Sequence, residues 1–300
     1  MRKCNSKSKK MFALCMALCM GILVFMELFT RISCADTLYA MNVDRPYQIR
    51  VNRAANCVTV YEKDGNGEYT VPIRAFVCSS GRAGHETPLG EFKTSDYYKW
   101  RLMVDGTYGQ YAVRFNGSIL FHSVPYYSRS GGDLEWDQYN LLGEAASLGC
   151  IRLACADAKW IYDNCKIGTE VIVYDDLNNP GPLGKPTEVK VAATNPWKTW
   201  DPTDTSKSNP WRQLKPSLYL LNDWGNGILY LPAGATKKDI KQAVGMKDVE
   251  GNPYKTNEYD VVIYGNYDIQ TEGVYNVSVR GISKLGIRVE QEMILCVVDV

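Results

Sequence analysis

Short alternating runs of apolar and polar residues, each ended by a turn, constrain the fold of residues 47–176 more than any other sequence feature. The run YQIRVNRAANCVTVYEKDG alternates, is rich in β-branched side chains and ends at Asp64-Gly65-Asn66-Gly67, which is typical of a hairpin. Similar segments follow, namely TVPIRAFVCSSG, GEFKTS, YAVRF, SILFHSV and TEVIVYD, and residues 156–164 favour a helix. We therefore predict a mainly β fold, a β-sandwich with one short helix over residues 46–176.

Residues 177–216 have a different composition, because they hold seven of the chain's 13 prolines together with many Asp, Asn, Thr and Ser residues. This composition predicts an extended, semi-rigid linker that few contacts cross. Trp197, Trp200 and Trp211 are candidates for pinning the linker to a neighbouring surface.

Strand-like segments resume in residues 217–300, with a short helix expected over residues 236–244 and Thr236 near its N-cap. Gly273-Val274-Tyr275, followed by NVSVRG and a last apolar strand, resembles the end of bacterial immunoglobulin-like modules. We therefore expect an immunoglobulin-like β-sandwich over residues 217–300.

The first 35 residues have the order of an export signal. Residues 1–10 are polar and basic, residues 11–26 are uncharged and largely apolar, and Ser33-Cys34-Ala35 offers the small residues of a cleavage site. Arg31 lies three residues before Cys34, where a lipoprotein signal needs an apolar residue. The segment is either a signal cleaved after Ala35 or an uncleaved membrane anchor. In both cases we expect an exported protein of the cell wall or extracellular space, in contact with the membrane only through an uncleaved segment.

Composition excludes several classes of function. The chain has 34 Lys and Arg against 33 Asp and Glu, and six of the basic residues lie in the first 35 positions. The remainder is mildly acidic, which argues against a nucleic acid partner. Two histidines, His85 and His122, and cysteines without CxxC spacing argue against a metal site, and we expect no cofactor. The scattered cysteines favour small buried residues over a disulfide framework.

A candidate nucleophile lies in Ser147-Leu148-Gly149-Cys150-Ile151-Arg152. The glycine allows close approach of a substrate to the backbone, and the Arg152 charge favours a Cys150 thiolate. A cysteine nucleophile also needs a base within hydrogen-bond reach. His122 ends the apolar segment SILFH, so strand pairing can bring it beside Cys150.

These residues together resemble the L,D-transpeptidase (YkuD-type) family of cell-wall enzymes from about Tyr47 to Tyr174. The family pattern is a histidine at a strand end followed, after an insert, by Ser/Thr-x-Gly-Cys-x-Arg, here Phe121-His122-Ser123 and Ser147 to Arg152. Its Thr-Pro-x-Gly-x-Phe stretch matches here at Thr87, Pro88, Gly90 and Phe92.

The resemblance implies attack by Cys150 on the L-to-D amide of a peptidoglycan tetrapeptide stem, release of D-alanine and a thioester intermediate. It implies His122 as the base, the backbone N–H of Cys150 and of Gly149 as oxyanion donors, and acylation by β-lactams, carbapenems in particular. Ser147 and Arg152 are expected to support the loop, and His85 is expected on the surface or at the cleft rim. Candidates for substrate binding are Thr87, Pro88, Gly90 and Ser123.

Two features depart from the family pattern. Leu148 stands where many members have a second histidine, and the insert over residues 125–146 is long enough to form part of a lid. Water in place of the acceptor amine makes the same chemistry an L,D-carboxypeptidase. A non-catalytic wall-binding protein is the alternative outside enzymes, and the intact Cys150, His122 and Arg152 disfavour it.

Overall fold

The computed structural model describes residues 45–221 and 227–299, and strands dominate this part of the chain. The predicted export segment lies outside the described residues. No helix within the described ranges is long and apolar enough to cross a membrane.

Nine strands form one continuous sheet in the order β4-β9-β1-β2-β3-β8-β7-β6-β5. Their bounds are β1 Tyr47–Asn52, β2 Cys57–Lys63, β3 Tyr69–Ser79, β4 Gly90–Lys93, β5 Tyr97–Leu102, β6 Tyr108–Asn116, β7 Ile119–Ser123, β8 Ile151–Leu153 and β9 Glu170–Tyr174. The turn predicted at residues 64–67 is confirmed, since it joins β2 to β3 in an antiparallel pair. Helix α1 spans Trp136–Tyr139 and helix α2 spans Cys155–Asn164.

The sheet folds over so that its two halves face each other, as expected for a sandwich. Phe92 of β4 lies 5.8 Å from Phe115 of β6, ring centre to ring centre, although the two strands are far apart in the sheet order. Phe121 and Ile151 are fully buried in the same core. Each such side chain contributes roughly 1.5–3 kcal/mol to stability by leaving water. The core therefore holds β7 and β8, whose ends carry the motif residues, in fixed positions.

Within residues 45–176, sequence patterning missed three elements, β5, β8 and α1. The charged and aromatic residues of β5 are exposed or half-buried, so β5 lacks a clear alternation. β8 has only three residues, all buried, and α1 has only four. Elements of this length are stabilised by their neighbours and carry little periodicity of their own.

Residues 217–299 form a second sheet system. A four-stranded sheet has the order β11-β15-β14-β13, and β10 pairs with β12. The bounds are β10 Ser217–Leu220, β11 Ile228–Pro232, β12 Val244–Lys247, β13 Tyr259–Tyr264, β14 Gly273–Ser283, β15 Arg288–Val298 and helix α3 Lys237–Ala243. The expected N-cap is confirmed, because Thr236 and Asp239 form a capping box. The assignment to an immunoglobulin-like module stays a prediction.

The expectation of an extended linker with few crossing contacts is wrong. Val189, Val191 and Trp211 of this segment are buried in one cluster with Tyr126 of the first sheet system and Ile287 of the second. Three apolar side chains anchor this stretch between its neighbours, although most of its residues are exposed or half-buried. Proline content alone does not predict such anchoring. Arg45–Val300 accordingly form one compact unit. The bounds of the regions 46–176, 177–216 and 217–300 stay predictions.

The tryptophans do pin the segment. Trp211 is 2% exposed, and its Nε1 lies 3.1 Å from the carbonyl oxygen of Trp197 and 3.2 Å from that of Trp200. The Trp200 ring covers Gly131 and Gly132, where an added Cβ would approach within about 3 Å of ring atoms. The glycines of the long insert thus permit close packing of the tryptophan.

Candidate active site

Two parallel strands bring the motif residues together. β7 pairs with β8 so that His122 is in register with Arg152, and Cys150 immediately precedes β8. His122, Cys150 and Arg152 line one cavity of about 130 Å³, together with Ser147 and Leu148. The pairing predicted from the strand end of SILFH is thus confirmed: two residues 28 positions apart in sequence face the same space.

Hydrogen bonds from buried hydroxyls fix the loop that carries the nucleophile. Ser147 Oγ donates to the Cys150 carbonyl oxygen at 2.5 Å and accepts from the Gly149 N–H at 3.0 Å. Thr87 Oγ1 donates to the Gly149 carbonyl oxygen at 2.8 Å and accepts from the Gly81 N–H at 3.0 Å. Gly149 has φ +117°, a conformation that side chains with a Cβ rarely adopt. Through these two hydrogen bonds Ser147 supports the loop, which is the role expected of it.

This hydrogen bonding changes which of the two expected oxyanion donors is available. The Gly149 N–H is already donated to Ser147 Oγ. The Cys150 N–H is the remaining candidate of the two donors that the sequence suggested.

His122 is buried and oriented by a backbone carbonyl. Its Nδ1 lies 2.6 Å from the Ser123 carbonyl oxygen, and because a carbonyl only accepts, Nδ1 carries the proton. Nε2 is then the basic nitrogen. Burial, together with the positive charge of Arg152, lowers the pKa of His122 from 6.5 to about 4. The imidazole is therefore neutral at neutral pH, as a proton acceptor must be.

Cys150 differs from the sequence expectation. Burial raises the pKa of its thiol, although a backbone hydrogen bond from Leu120 and the charge of Arg152 act in the opposite direction. The expected effect of Arg152 is present, since its charge favours the thiolate, but the desolvation of a thiolate outweighs that attraction. The resting site holds a neutral thiol beside a neutral imidazole.

The other described cysteines are unpaired, and most of them are inaccessible. Burial raises the pKa of Cys57 to about 11 and of Cys165 to about 12, and it raises those of Cys78 and Cys155 well above the ordinary value. Cys296 shares partial exposure with Cys150 but lies in β15. Cys150 is the one of the six described cysteines that lines the cavity with His122.

Arg152 connects the site to the long insert. Its Nη1 donates to Gln138 Oε1 of α1 at 2.8 Å. Burial lowers the pKa of Arg152, whereas the carboxylates of Asp105 and Glu135 act to raise it. A guanidinium stays charged in proteins, so Arg152 supplies a fixed positive charge and a structural brace.

Four residues expected at the substrate lie elsewhere. Thr87 and Ser123 are fully buried, and Ser123 Oγ accepts from the Gln110 N–H at 2.9 Å and donates to the Val124 carbonyl oxygen at 2.8 Å. Pro88 and Gly90 are exposed but do not line the cavity of Cys150. Thr87 and Ser123 thus hold the backbone in place, since their hydroxyls are already engaged. His85 is exposed, in agreement with a surface position, and it is not among the cavity's lining residues.

The insert does not cover the cavity as a lid would. Tyr126, Leu134 and Tyr139 of the insert are buried in the cluster that contains Trp211, and only Pro125 of the insert lines the cavity. Another part of the cavity lining comes from residues 101–105, at the end of β5 and the turn to β6. Sequence patterning did not predict this part of the lining, because it did not predict β5.

Gly109 is a site residue that sequence reasoning missed. A Cβ added to Gly109 would lie 2.7 Å from His122 Nδ1 and 2.9 Å from its Cγ. The imidazole thus rests directly on the backbone of β6. The available signal was a glycine inside a strand, which often marks a close approach by another group.

No group of three or more His, Cys, Asp and Glu side chains in residues 45–221 and 227–299 is arranged to hold a metal ion.

Comparison with known proteins gives matches to a family model, to a curated protein and to solved structures. Residues 46–173 match the YkuD family model, described as the L,D-transpeptidase catalytic domain. YciB of Bacillus subtilis (strain 168), described as an L,D-transpeptidase, is 41% identical over 58 residues, which are 19% of this chain and 29% of YciB.

Two solved structures are also similar. A fused Zn-dependent amidase/peptidase/peptidoglycan-binding domain-containing protein of Clostridium acetobutylicum ATCC 824 is 27% identical, with a TM-score of 0.33, over 47% of this chain and 59% of that chain. L,D-transpeptidase 3 of Mycobacterium tuberculosis, solved with a faropenem-derived adduct, is 23% identical, with a TM-score of 0.34, over 44% of this chain and 61% of that chain.

The chain spans less than a third of YciB and about three fifths of the two solved structures. The residues that match the family model, 46–173, include both the loop that carries Cys150 and His122. Residues 46–173 of this chain are therefore similar to the L,D-transpeptidase catalytic domains that the YkuD family model describes.

Proposed function

We propose that this protein is an exported peptidoglycan L,D-transpeptidase that cross-links stem peptides through a thioester on Cys150. The observation that carries the proposal is the cavity that Cys150 and His122 share, with Nδ1 of His122 engaged and Nε2 basic. The match of residues 46–173 to the YkuD family model supports the choice of substrate. The proposed export rests on the order of residues 1–35, either as a cleaved signal or as a membrane anchor.

The first half-reaction follows from the resting charges. Nε2 of His122 takes the thiol proton as Cys150 Sγ attacks the carbonyl carbon between the third and fourth stem residues. The Cys150 N–H stabilises the developing oxyanion. The imidazolium formed is strongly acidic, because burial and Arg152 hold the pKa of His122 at about 4. It therefore protonates the leaving amine of D-alanine efficiently, and the thioester remains.

In the second half-reaction, the amine of a neighbouring stem attacks the thioester, and His122 accepts its proton. Sγ leaves and recovers a proton from the imidazolium, which restores the resting site. Arg152 is a fixed charge that disfavours early protonation of His122 and favours thiolate. Leu148 is 39% exposed at the cavity and adds apolar surface where a second histidine stands in many family members.

The test is incubation of residues 36–300 with a disaccharide-tetrapeptide, followed by mass spectrometry of the products. We expect a cross-linked dimer with one D-alanine lost, and no turnover by Cys150→Ala. Cys296→Ala is the matched control, because Cys296 is also partly exposed but lies in β15, and it should retain activity. A tripeptide monomer without dimer would identify an L,D-carboxypeptidase, and turnover by Cys150→Ala would overturn the mechanism.

A further inference from the structure

A second cavity lies at the junction of the two sheet systems. It has a volume of about 270 Å³, and its walls come from the start of α2, from the proline-rich segment and from β14 and β15. Its lining includes the apolar side chains of Trp211 and Ile287 and three arginines. The cavity of Cys150 has a different set of lining residues.

Four cationic side chains and two acidic side chains line the cavity. Arg280 and Arg288 both line the cavity, with side chains only 7% and 15% exposed. Arg288 Nη1 donates to both carboxylate oxygens of Asp157, at 2.7 and 2.8 Å. Arg280 Nε donates to Glu290 Oε2 at 2.9 Å, and the same carboxylate also pairs with Arg74. Three guanidinium groups thus share two carboxylates.

Arg288 also has a donor without a partner. Its Nε is buried and makes no hydrogen bond to any described residue. A buried charged donor left without an acceptor destabilises the protein by more than an ordinary lost hydrogen bond. Nε itself is inaccessible, so an anion in the cavity must be bound by the other guanidinium nitrogen atoms of Arg288 and Arg280.

The rim adds two more cations. Arg212 and Lys215 line the cavity and are exposed, whereas Asp204 is the acidic lining residue from the same segment. Asp204 is 4% exposed, and its Oδ2 lies close to Gly131, so this carboxylate is directed at least in part toward the insert. Its Oδ2 makes no hydrogen bond within the described residues, so Asp204 offsets part of the rim charge, and four cationic lining residues still outnumber two acidic ones.

The backbone donors at this end of α2 are already occupied. The Cys155 N–H donates to Asp201 Oδ2 at 2.7 Å, and the Ala156 N–H donates to Thr203 Oγ1 at 3.0 Å. A ligand in the cavity must therefore be recognised by side chains. Arginine favours planar or tetrahedral oxyanions, because its guanidinium offers paired donors.

We propose that this junction cavity is a binding site for a small organic anion that presents a phosphate or carboxylate group to Arg288 and Arg280. The Trp211 and Ile287 wall receives the apolar part of the ligand. Arg212 and Lys215 attract the anion at the rim. The site is independent of the proposed transpeptidation, since it shares no lining residue with the cavity of Cys150.

The test is calorimetric titration of residues 36–300, which contain the whole compact unit, with inorganic phosphate and separately with acetate at constant ionic strength. We expect saturable binding of at least one of the two anions, with a parallel rise in Tm. Arg212→Ala/Lys215→Ala removes two exposed rim charges and should weaken binding at least about tenfold. Lys93→Ala/Lys99→Ala removes two exposed charges that do not line the cavity and should leave binding unchanged.

The two anions separate the sources of the shared chemistry. Binding of phosphate alone assigns a phosphate-bearing ligand, and binding of acetate alone assigns a carboxylate-bearing ligand. Absence of saturable binding for both anions would overturn the proposal. Equal weakening by the rim variant and by the control variant would also overturn it, since that result indicates a general effect of net charge.

Discussion

Single residues decide whether the nucleophile loop is held in a reactive shape. Ser147, Thr87 and Ser123 are fully buried, and each uses its hydroxyl on the backbone near Cys150 or His122. Such hydroxyls fix the positions of the reacting atoms before a substrate arrives. A misplacement of about 1 Å is enough to reduce a rate by roughly 10²-fold.

Cys150 should be the residue that a carbapenem acylates. Opening of the strained ring places negative charge on the carbonyl oxygen, where the Cys150 N–H can stabilise it as in the normal reaction. Intact-protein mass spectrometry should show one adduct on the wild type and on Cys296→Ala, and none on Cys150→Ala. An adduct that persists on Cys150→Ala would place the reactive thiol elsewhere.

Gly109→Ala should impair catalysis through the position of His122. The new Cβ would lie 2.7 Å from Nδ1, so the ring must move away from its place on β6. We expect kcat to fall by roughly 10- to 100-fold, with a smaller change in KM. Gly65→Ala is the matched control, because a Cβ there meets nothing within 4 Å. Equal activity of the two variants would contradict the positioning role.

The stability of the protein should depend on pH through His122. Its pKa is about 4 in the folded protein against 6.5 for the ordinary side chain, so the unfolded chain binds a proton first as pH falls. The contribution of neutral His122 to the free energy of unfolding is fully present above pH 6.5 and is lost between pH 6.5 and about 4, a loss of roughly 3 kcal/mol.

Urea denaturation of the wild type and of His122→Asn over this pH range measures the effect. The difference in unfolding free energy between the two should shrink as pH falls from 6.5 toward 4, because only the wild type carries this titrating group. A difference that stays constant with pH would show that His122 is not held neutral by its surroundings.

At the scale of elements, the proline-rich segment caps the helix that follows β8. Asp201 is fully buried, and its two oxygens accept from the N–H groups of Cys155 and Thr203 and from the Thr203 hydroxyl. Burial raises the pKa of Asp201 to about 6 despite these bonds. The helix start thus depends on a residue 46 positions later in the chain.

Asp201→Ala should destabilise the protein by about 1–3 kcal/mol, because the Cys155 N–H loses its acceptor in a buried position. Asp163→Ala is the control, since Asp163 lies on the same helix and pairs only with Lys159 at the surface. That change should stay within about 0.5 kcal/mol. Thermal unfolding measures both, and equal Tm values for the two variants would contradict the capping role.

At the scale of the whole molecule, the two sheet systems are joined by a shared core and by buried charge. The cluster around Trp211 draws on three regions of the chain. Asp157 of α2, 1% exposed, depends on Arg288 of β15 for its counter-charge. Removing one member of a buried ion pair commonly destabilises a protein by about 3–5 kcal/mol.

A chain that ends at Asp176 should therefore fold poorly. It would expose Tyr126 and Tyr139 and leave Asp157 buried without its guanidinium partner. We expect low soluble yield or a Tm far below that of residues 36–300, measured by circular dichroism. A truncated protein with unchanged Tm and activity would show that the junction contributes nothing to stability.

Much of the fold and the centre of the site could be predicted from local pattern. Three predictions that depend on near neighbours or on a spaced motif are confirmed. They are the hairpin at residues 64–67, the helix over residues 156–164 and the position of His122 beside the same cavity as Cys150. The roles of β5 and Gly109 could not be predicted from the sequence. Each role comes from contact with another element, and no local pattern shows where along the chain that element lies.

The amino-acid sequence by itself determined most of the strands, the turn chemistry and the choice of Cys150 and His122 as candidate nucleophile and base, since alternation, turn residues and a spaced motif are visible along the chain. Only the tertiary structure decided that burial raises the pKa of the Cys150 thiol, that the Gly149 N–H is already bonded and that Val189, Val191 and Trp211 anchor the proline-rich segment in a core. The physical reason is that desolvation and hydrogen-bond satisfaction depend on which distant groups surround an atom, and these groups come together only when the chain is folded.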